Sequence, residues 1–490
     1  MSPAETPDAL REARQTDEAS LLRRGFQMLQ RPRPEDQAEA ERLFRTVLDR
    51  DPARTAAHVG LSRVATYLYA LGLDETPERL ETARREAEAA ISLDPRDPQA
   101  RAALVRALAI SNRLAPALEE AQRGVADAPE APEAHLALCL VERLRGEEDA
   151  ALAACRRASD LAPDEPLVLT GLAAVLRERG DYLAAMNLLG QAADLDHESA
   201  LPQLDAAATL QKQGSFRKAS SFYKVILERF PFARTRALQG AAALRLTIGD
   251  YEGALELYES VDLPQNAALP TLLGLYGRGY ALFRLDRAAE AEYFLSLLIE
   301  RMPADYDGPA RGREVLYLAY DDLVRYFDQR GRGEKAEELL RAAAVRPQAP
   351  TRLARALALR QRGGRDGAAA PGRLEQALLR SDPREDPLEL AETALLLARL
   401  SSSDGRKVVR PSSTAGQAIR LAAERVASSP LGVVHYRMAR AFALSRDIDG
   451  SLASLEKASA FGFLPKDQAA SEKDFSILHG RTEFQALLNP

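Results

Sequence analysis

The sequence predicts an all-α protein, a solenoid of stacked antiparallel helix pairs. Three observations carry that expectation. Pro95, Pro129 and Pro163 stand 34 residues apart, and the same step reaches His197 and then Pro231. Ala83, Ala117, Ala151, Ala185 and Ala219 keep the same phase, each twelve residues before its turn residue. Between alanine and turn lies an apolar stripe at helical spacing, as in Ala185, Leu188, Leu189, Ala192 and Ala193. A fixed period of this size marks a repeat array, in which no unit shields its own apolar face and neighbours must stack.

Each period divides into two helical patterns. The first reads like APEAHLALCLVERLRG and the second like EEDAALAACRRASDLAP. Gly146, Gly180-Asp181, Gly214-Ser215 and Gly249-Asp250 separate them. Glycine accepts the left-handed residue that ends a helix, and Asp or Ser caps the next one. The following proline stops the second helix and pre-sets the turn. The recurrent alanine marks a close approach of two helices, where a larger side chain would force them apart.

The pattern Ala, an apolar residue four on, and Pro eight further on recurs. It is seen in Ala40-Phe44-Pro52, Ala83-Ala87-Pro95, Ala117-Ala121-Pro129, Ala151-Cys155-Pro163, Ala219-Tyr223-Pro231, Ala291-Leu295-Pro303 and Ala418-Ala422-Pro430. Weaker copies are Ala185-Leu189-His197, Ala254-Tyr258 and Ala336-Leu340. In these residues the chain resembles the tetratricopeptide repeat proteins, of the bacterial type with a C-terminal capping segment. The family's tryptophan is missing throughout, since the chain has no Trp. The resemblance implies a right-handed superhelix whose first helices line a concave groove. It does not single out a function, because the scaffold serves many.

The organisation follows from where the period breaks. Residues 1–18 are polar and read as a disordered tail, and residues 19–350 as the main array. The step from Pro52 to Pro95 is 43 residues, which places about nine extra residues near 72–78. Further irregularities fall at 302–313, 361–373 and 401–414. The span 351–414 therefore reads as a degenerate helical region with Gly- and Ser-rich loops, and 415–490 as terminal repeats with a capping helix. In the tail Asp474-Phe475, Leu478, Phe484, Leu487 and Leu488 resemble the family's closing segment. The last pair needs such a cover for its apolar face.

Composition and motifs exclude most chemistry. The 490 residues are 46% hydrophobic and 28% charged, so the chain is not a disordered one. Its net charge of -6 argues against nucleic acid as a partner. No apolar run approaches the roughly 18 residues a membrane span requires. The N-terminus carries no apolar signal core, and a cytoplasmic location is expected. His58, His135, His197, His435 and His479 are dispersed, without metal-ligand spacing. Phosphate-cradling glycine loops and nucleophile elbows are absent. The chain is therefore expected to be no enzyme and to hold no cofactor or metal. Cys139 and Cys155, its two cysteines, fall on the two helices of one repeat. They read first as small buried residues, with a redox pair as the rival reading.

What remains is the groove. Helical spacing on the first helices gives Ala102/Arg106/Ala109, Leu136/Leu140/Arg143, Thr170/Ala174/Arg177 and Leu204/Ala208/Gln211. The stripe continues through Gln239/Ala243/Leu246, Tyr276/Tyr280/Phe283 and Asp321/Arg325/Asp328. Arg106, Arg143, Arg177, Gln211, Tyr276, Tyr280 and Phe283 are the candidate partner-binding residues, because Arg and Tyr most often anchor interfaces. The competing reading pairs the arginines with neighbouring acids. The family's chaperone-tail clamp is not expected, since Asn112, Asn187, Asn266 and Asn489 all lie off the stripe. The expected function is a non-catalytic scaffold or adaptor that holds a protein or peptide with acidic and apolar groups. The alternative is a peptide- or ligand-responsive regulatory subunit of an enzyme or larger complex.

Overall fold

A computed structural model describes residues 7–31, 33–70, 73–74, 76–261, 269–302, 310–346, 349–361, 369–382, 385–403 and 410–488. Among these the regular structure is entirely helical, with twenty-six α-helices. The chain divides into two compact units, residues 1–302 with 307–316, and residues 303–306 with 317–490.

Unit 1 is a run of helix pairs. They are α1 (Pro7–Gln30) with α2 (Pro34–Arg50), α3 (Thr55–Ala70) with α4 (Pro77–Leu93), and α5 (Pro98–Ile110) with α6 (Leu114–Asp127). There follow α7 (Pro132–Arg145) with α8 (Glu148–Leu161), α9 (Pro166–Glu178) with α10 (Tyr182–Leu195), and α11 (Leu201–Lys212) with α12 (Phe216–Arg229). The last are α13 (Arg234–Thr247) with α14 (Tyr251–Glu259), and α15 (Leu269–Arg284) with α16 (Ala288–Arg301). Helix α1 begins at Pro7, inside the stretch expected to be a disordered tail. Its sequence is rich in Ala, Leu, Glu and Arg, which favour helix, and Asp17 pairs with Arg50 of α2. The long repeat is accommodated by an α3 of 16 residues and a connection to α4, where Asp74 accepts from the Thr76 amide and from Arg79.

The turn residues behave as their chemistry requires. Gly146, Gly180, Gly214 and Gly249 have φ between +77° and +83°. Asn112, Asp286 and Arg446 occupy the equivalent left-handed site at +64°, +58° and +57°. The recurrent alanines Ala40, Ala83, Ala117, Ala151, Ala185, Ala219, Ala254 and Ala291 are all fully buried.

Successive pairs are matched in volume. Phe44 of α2 is fully buried against Gly60 of α3, and Tyr223 of α12 lies on Gly240 of α13. Where the second helix carries Ala87 or Ala121, the next first helix presents Ala103 or Ala137. A ring is thus met by glycine and a methyl by a methyl, which keeps the spacing between repeats even and the interior close-packed.

Unit 2 contains the rest of α17 (Ala310–Gln329) and α18 (Gly333–Ala344), followed by α19 (Thr351–Arg360), α20 (Ala370–Arg380), α21 (Pro387–Ser403) and α22 (Thr414–Arg425). It ends with α23 (Gly432–Leu444), α24 (Ile448–Ala460), α25 (Lys466–Ser471) and α26 (Thr482–Leu488). The irregularities read at 302–313, 361–373 and 401–414 fall largely on 303–309, 362–368 and 404–409, outside the described residues. Residues Leu374, Leu378, Leu390, Leu397, Ile419 and Val434 form one core across α20 to α23. The C-terminal segment closes the stack. Phe475, Leu478 and Phe484 are fully buried and pack with Tyr436, Leu455 and Ala458 of the last pair. Arg440, itself buried, holds this segment through Asp474 at 2.8 Å and Glu472 at 2.9 Å, and Arg399 reaches the same Asp474 at 2.9 Å.

Candidate functional site

In unit 1 the odd-numbered helices pack on one another in sequence from α1 to α15, and no even-numbered helix packs comparably on the next. The odd helices therefore hold the inner side of the curve. The curve is tight enough for Arg236 of α13 to donate to the Ala70 carbonyl at the end of α3, 166 residues earlier.

One feature of this inner layer was not read from the sequence. His58 donates from Nε2 to the Pro52 carbonyl at 2.9 Å, Arg101 to Pro95 at 2.7 Å, His135 to Pro129 at 2.8 Å and His435 to Ser429 at 2.8 Å. Each bond spans six residues and ties the turn to the first helix that follows it. Three of the five histidines thus staple turns. In unit 1 the acceptors are turn prolines, whose six-residue offset to His or Arg was the available signal; for His435 in unit 2 the acceptor is Ser429, one residue before Pro430.

The candidate arginines separate into two kinds. Arg143 pairs with Glu178 at 3.1 Å and Arg177 with Asp205 at 2.5 Å, each on the next odd helix. Unit 2 repeats this ladder, with Arg352 to Asp321 at 2.8 Å, Arg355 to Glu389 at 2.6 Å, and Arg360 to Asp328. Such pairs hold neighbouring repeats in register and leave little free positive charge. Arg106 is different. Among the described residues it has no hydrogen bond or ion pair. It is half-buried, and burial, with Arg63 beside it, pulls its guanidinium down to about 10. It remains a cation at neutral pH.

Arg63 on α3 was missed. Its register is displaced by the long repeat, 43 rather than 34 residues before Arg106. Its guanidinium lies 5.9 Å from the centre of the Phe26 ring. Burial lowers its pKa, opposed by the charges of Glu165 and Glu133. One turn along α3, Tyr67 is raised by burial and by the charge of Asp196.

The aromatic candidates come together at the other end of unit 1. Tyr276 and Tyr280 stack with centroids 6.1 Å apart, and Tyr251 meets Tyr280 edge-on at 6.3 Å. Arg284 covers the Tyr251 ring at 4.7 Å and donates to the Tyr280 hydroxyl at 3.2 Å. Phe283 is half-buried on the same helix and packs with Leu255, Ala281 and Leu282. Gln211 accepts from the Tyr223 hydroxyl at 3.4 Å.

The cysteines are joined. Cys139 of α7 and Cys155 of α8 form a disulfide with Cα atoms 5.2 Å apart, both side chains buried. The expectation of two unlinked thiols is corrected. The alanine-sized packing positions of the repeat bring the two helices within the span a disulfide needs.

No protein-family model matches the sequence, and neither does any curated protein. Solved structures do resemble it. A tetratricopeptide repeat protein from Parabacteroides merdae is 14% identical, with a TM-score of 0.39 over 54% of this chain and 98% of its own. A thermophilic tetratricopeptide repeat protein of Thermus thermophilus, TTC0263, is 23% identical, with a TM-score of 0.33 over 39% of this chain and 98% of its own. Human IFIT1, as a dimer with PPP-AAAA, is 15% identical, with a TM-score of 0.42 over 88% of this chain and 95% of its own. At these values the likeness decides nothing about this chain by itself. The deciding observation is internal: antiparallel pairs at a 34-residue period, with alanine at the buried crossing and glycine in the left-handed turn.

The chain folds as an α-solenoid of tetratricopeptide-like helix pairs.

Among the described residues no three His, Cys, Asp or Glu side chains are grouped to hold a metal, and no helix is long and apolar enough to cross a membrane. The inner layer instead presents two chemically distinct ends, an arginine pair on α3 and α5 and a tyrosine cluster on α15.

Proposed function

We propose that this array is a non-catalytic interaction scaffold that seats a polypeptide segment along the odd helices of unit 1. The observation that supports it is the preformed inner layer. Its side chains are held by packing and ion pairs before any partner arrives, which reduces the ordering cost of binding. Tyr276 and Tyr280 supply a rigid aromatic anchor of the type that dominates interfaces. A polypeptide is favoured over nucleic acid by the net charge of -6 and by the pairing of Arg143 and Arg177.

Cross-linking in cells followed by mass spectrometry tests the reading. Partner peptides are expected to join the odd helices α5 to α15, and Tyr276→Ala with Tyr280→Ala to reduce their yield. Cross-links confined to the even helices, or none, would overturn it.

The compartment that holds the array is either reducing, as the cytoplasm is, or oxidising. The buried Cys139–Cys155 disulfide supports an oxidising space, because reducing compartments keep such pairs as thiols. Alkylation of the protein at the moment of cell lysis, with mass spectrometry of the peptides holding both cysteines, decides between them.

A further inference from the structure

We propose that the exposed faces of α12 and α14 in unit 1 form an isologous interface between two copies of this chain. The basic face of α12 is covered by the acidic face of α14 from the second copy. The scaffold reading concerns the odd helices, so the two stand or fall separately.

Helices α2, α4 and α6 mix both signs on their exposed side and pair them within the helix. Arg42 meets Glu39 at 2.7 Å, Arg84 meets Glu88 at 2.6 Å, and Arg123 meets Glu120 at 2.7 Å. Helices α12 and α14 separate the signs instead. The first 211 residues hold no lysine, and Lys212, Lys218 and Lys224 then follow within thirteen residues. On α12 Arg217, Lys218 and Lys224 are exposed, and Glu228, the one internal acid, stands 4.0 Å from Lys224. On α14 Glu252, Glu256 and Glu259 are exposed along one stripe, and the helix has no basic residue. Glu259 reaches Arg278 at 3.5 Å, whereas among the described residues the side chains of Arg217, Lys218, Glu252 and Glu256 enter no ion pair. Neither arrangement helps the lone helix. Arg217 and Lys218 lie in the first turn of α12, where the helix dipole disfavours cations, and Glu252 and Glu256 are like charges one turn apart.

The two faces complement each other. Both α12 and α14 pack on α13, which sets the basic and acidic stripes next to one another. Arg217 and Lys224 are seven residues apart, as are Glu252 and Glu259, roughly 10 Å along either helix. A two-fold axis between the helices brings each basic stripe onto the acidic stripe of the other copy, and such a contact closes at two subunits. Val225, 49% exposed amid the cations, is then removed from water. A nucleic acid or anionic lipid surface broad enough to cover α12 also meets the carboxylates of α14 and is repelled there. The matching partner carries both signs in reverse order, and this chain turned over does so.

Sedimentation velocity of the full chain tests the interface. Wild type is expected to dimerise, with a dissociation constant that rises about tenfold or more between roughly 0.05 and 0.5 M sodium chloride. Arg217→Glu with Lys224→Glu, and separately Glu252→Lys with Glu256→Lys, are each expected to sediment as monomers, because each change sets like charges face to face. A mixture of the two double variants is expected to restore the dimer, since every stripe again meets its opposite. These substitutions fall on exposed residues, and circular dichroism checks that the helices persist. Should a reversed variant fail to fold, Arg217→Gln with Lys224→Gln is expected to weaken the dimer and flatten its salt dependence.

A wild-type chain that stays monomeric in low salt overturns the proposal. So do double variants that dimerise as well as wild type, and a mixture of folded variants that stays monomeric. Binding of phosphatidylserine vesicles or an oligonucleotide through Arg217 and Lys224, without a dimer, assigns the basic face to an anionic surface instead. A dimer that behaves as expected while no partner joins the odd helices overturns the scaffold reading alone.

Discussion

Phe44 and Gly60 share one space: a Cβ built on Gly60 would stand 2.5 Å from the ring of Phe44. The ring is fully buried between α1, α2 and α3, with Phe26 edge-on at 5.0 Å. Neither residue can move without disturbing the junction of the first two repeats.

Gly60→Ala is therefore expected to destabilise unit 1 by roughly 1–3 kcal/mol, the usual cost of overpacking a filled core. Urea unfolding followed by circular dichroism measures it. The double variant with Phe44→Leu should recover part of the loss. If Gly60→Ala unfolds like wild type, the volume matching proposed between repeats is wrong.

The Cys139–Cys155 link closes a loop with a sequence separation of 16 residues. Chain-entropy reasoning gives such a loop about 3 kcal/mol. Replacing both cysteines with alanine is expected to lower the melting temperature in non-reducing buffer. Equal melting of oxidised and reduced wild-type protein would show that the link adds nothing.

Arg446 sits at φ +57°, a position that Gly146, Gly180, Gly214 and Gly249 fill in equivalent turns. The left-handed conformation costs a residue with a Cβ about 1–2 kcal/mol. Arg446→Gly is expected to stabilise unit 2 by part of this amount, because glycine also loses more freedom on folding. A drop in stability would indicate a role for the side chain beyond the turn.

Asp474 receives Arg440 and Arg399, and Arg440 is the buried member. Asp474→Asn leaves that guanidinium short of a charge partner. A loss of about 3 kcal/mol is expected if the site behaves as buried pairs usually do. Hydrogen exchange should speed up first in α26 and α23, and uniform protection would contradict the assigned closing role.

Glu385 accepts from the amide and hydroxyl of Thr351 at 2.6 Å, at the first turn of α19. Burial raises its carboxyl pKa above the ordinary 4.5, against the lowering effect of those two bonds. A raised acid binds its proton more tightly in the folded protein, so its contribution is present at low pH and is lost as pH climbs from 4.5 through the folded value. Glu385→Gln keeps the accepting oxygen and removes the titration. Its melting temperature is expected to gain on wild type as pH rises from 4.5. A difference that stays constant with pH would place the burial cost elsewhere.

Much of this protein was legible before any coordinates. Ala83 and its equivalents, the turn glycines and the prolines are short-range features, and each one's backbone or packing requirement is written in its own residue type. The closing segment was legible for the same reason: Phe475 and Phe484 are too apolar to leave outside. By itself, then, the sequence determined the helix pair, its period and the cap.

The tertiary structure decided what those repeats do with charge and sulfur. Arg106, Arg143 and Arg177 look alike along the chain, yet two are satisfied by acids some thirty residues on and one is not. Whether Cys139 and Cys155 pack or bond depends on how closely α7 and α8 cross. Arg63 acts on Arg106 because α3 packs on α5, the next odd helix, although the irregular repeat hides their correspondence along the chain. The physical reason is common to all three: ion pairing, bonding and burial depend on distance between residues far apart in sequence, and a periodic pattern sets the pitch of a helix stack without naming which side chains finally meet.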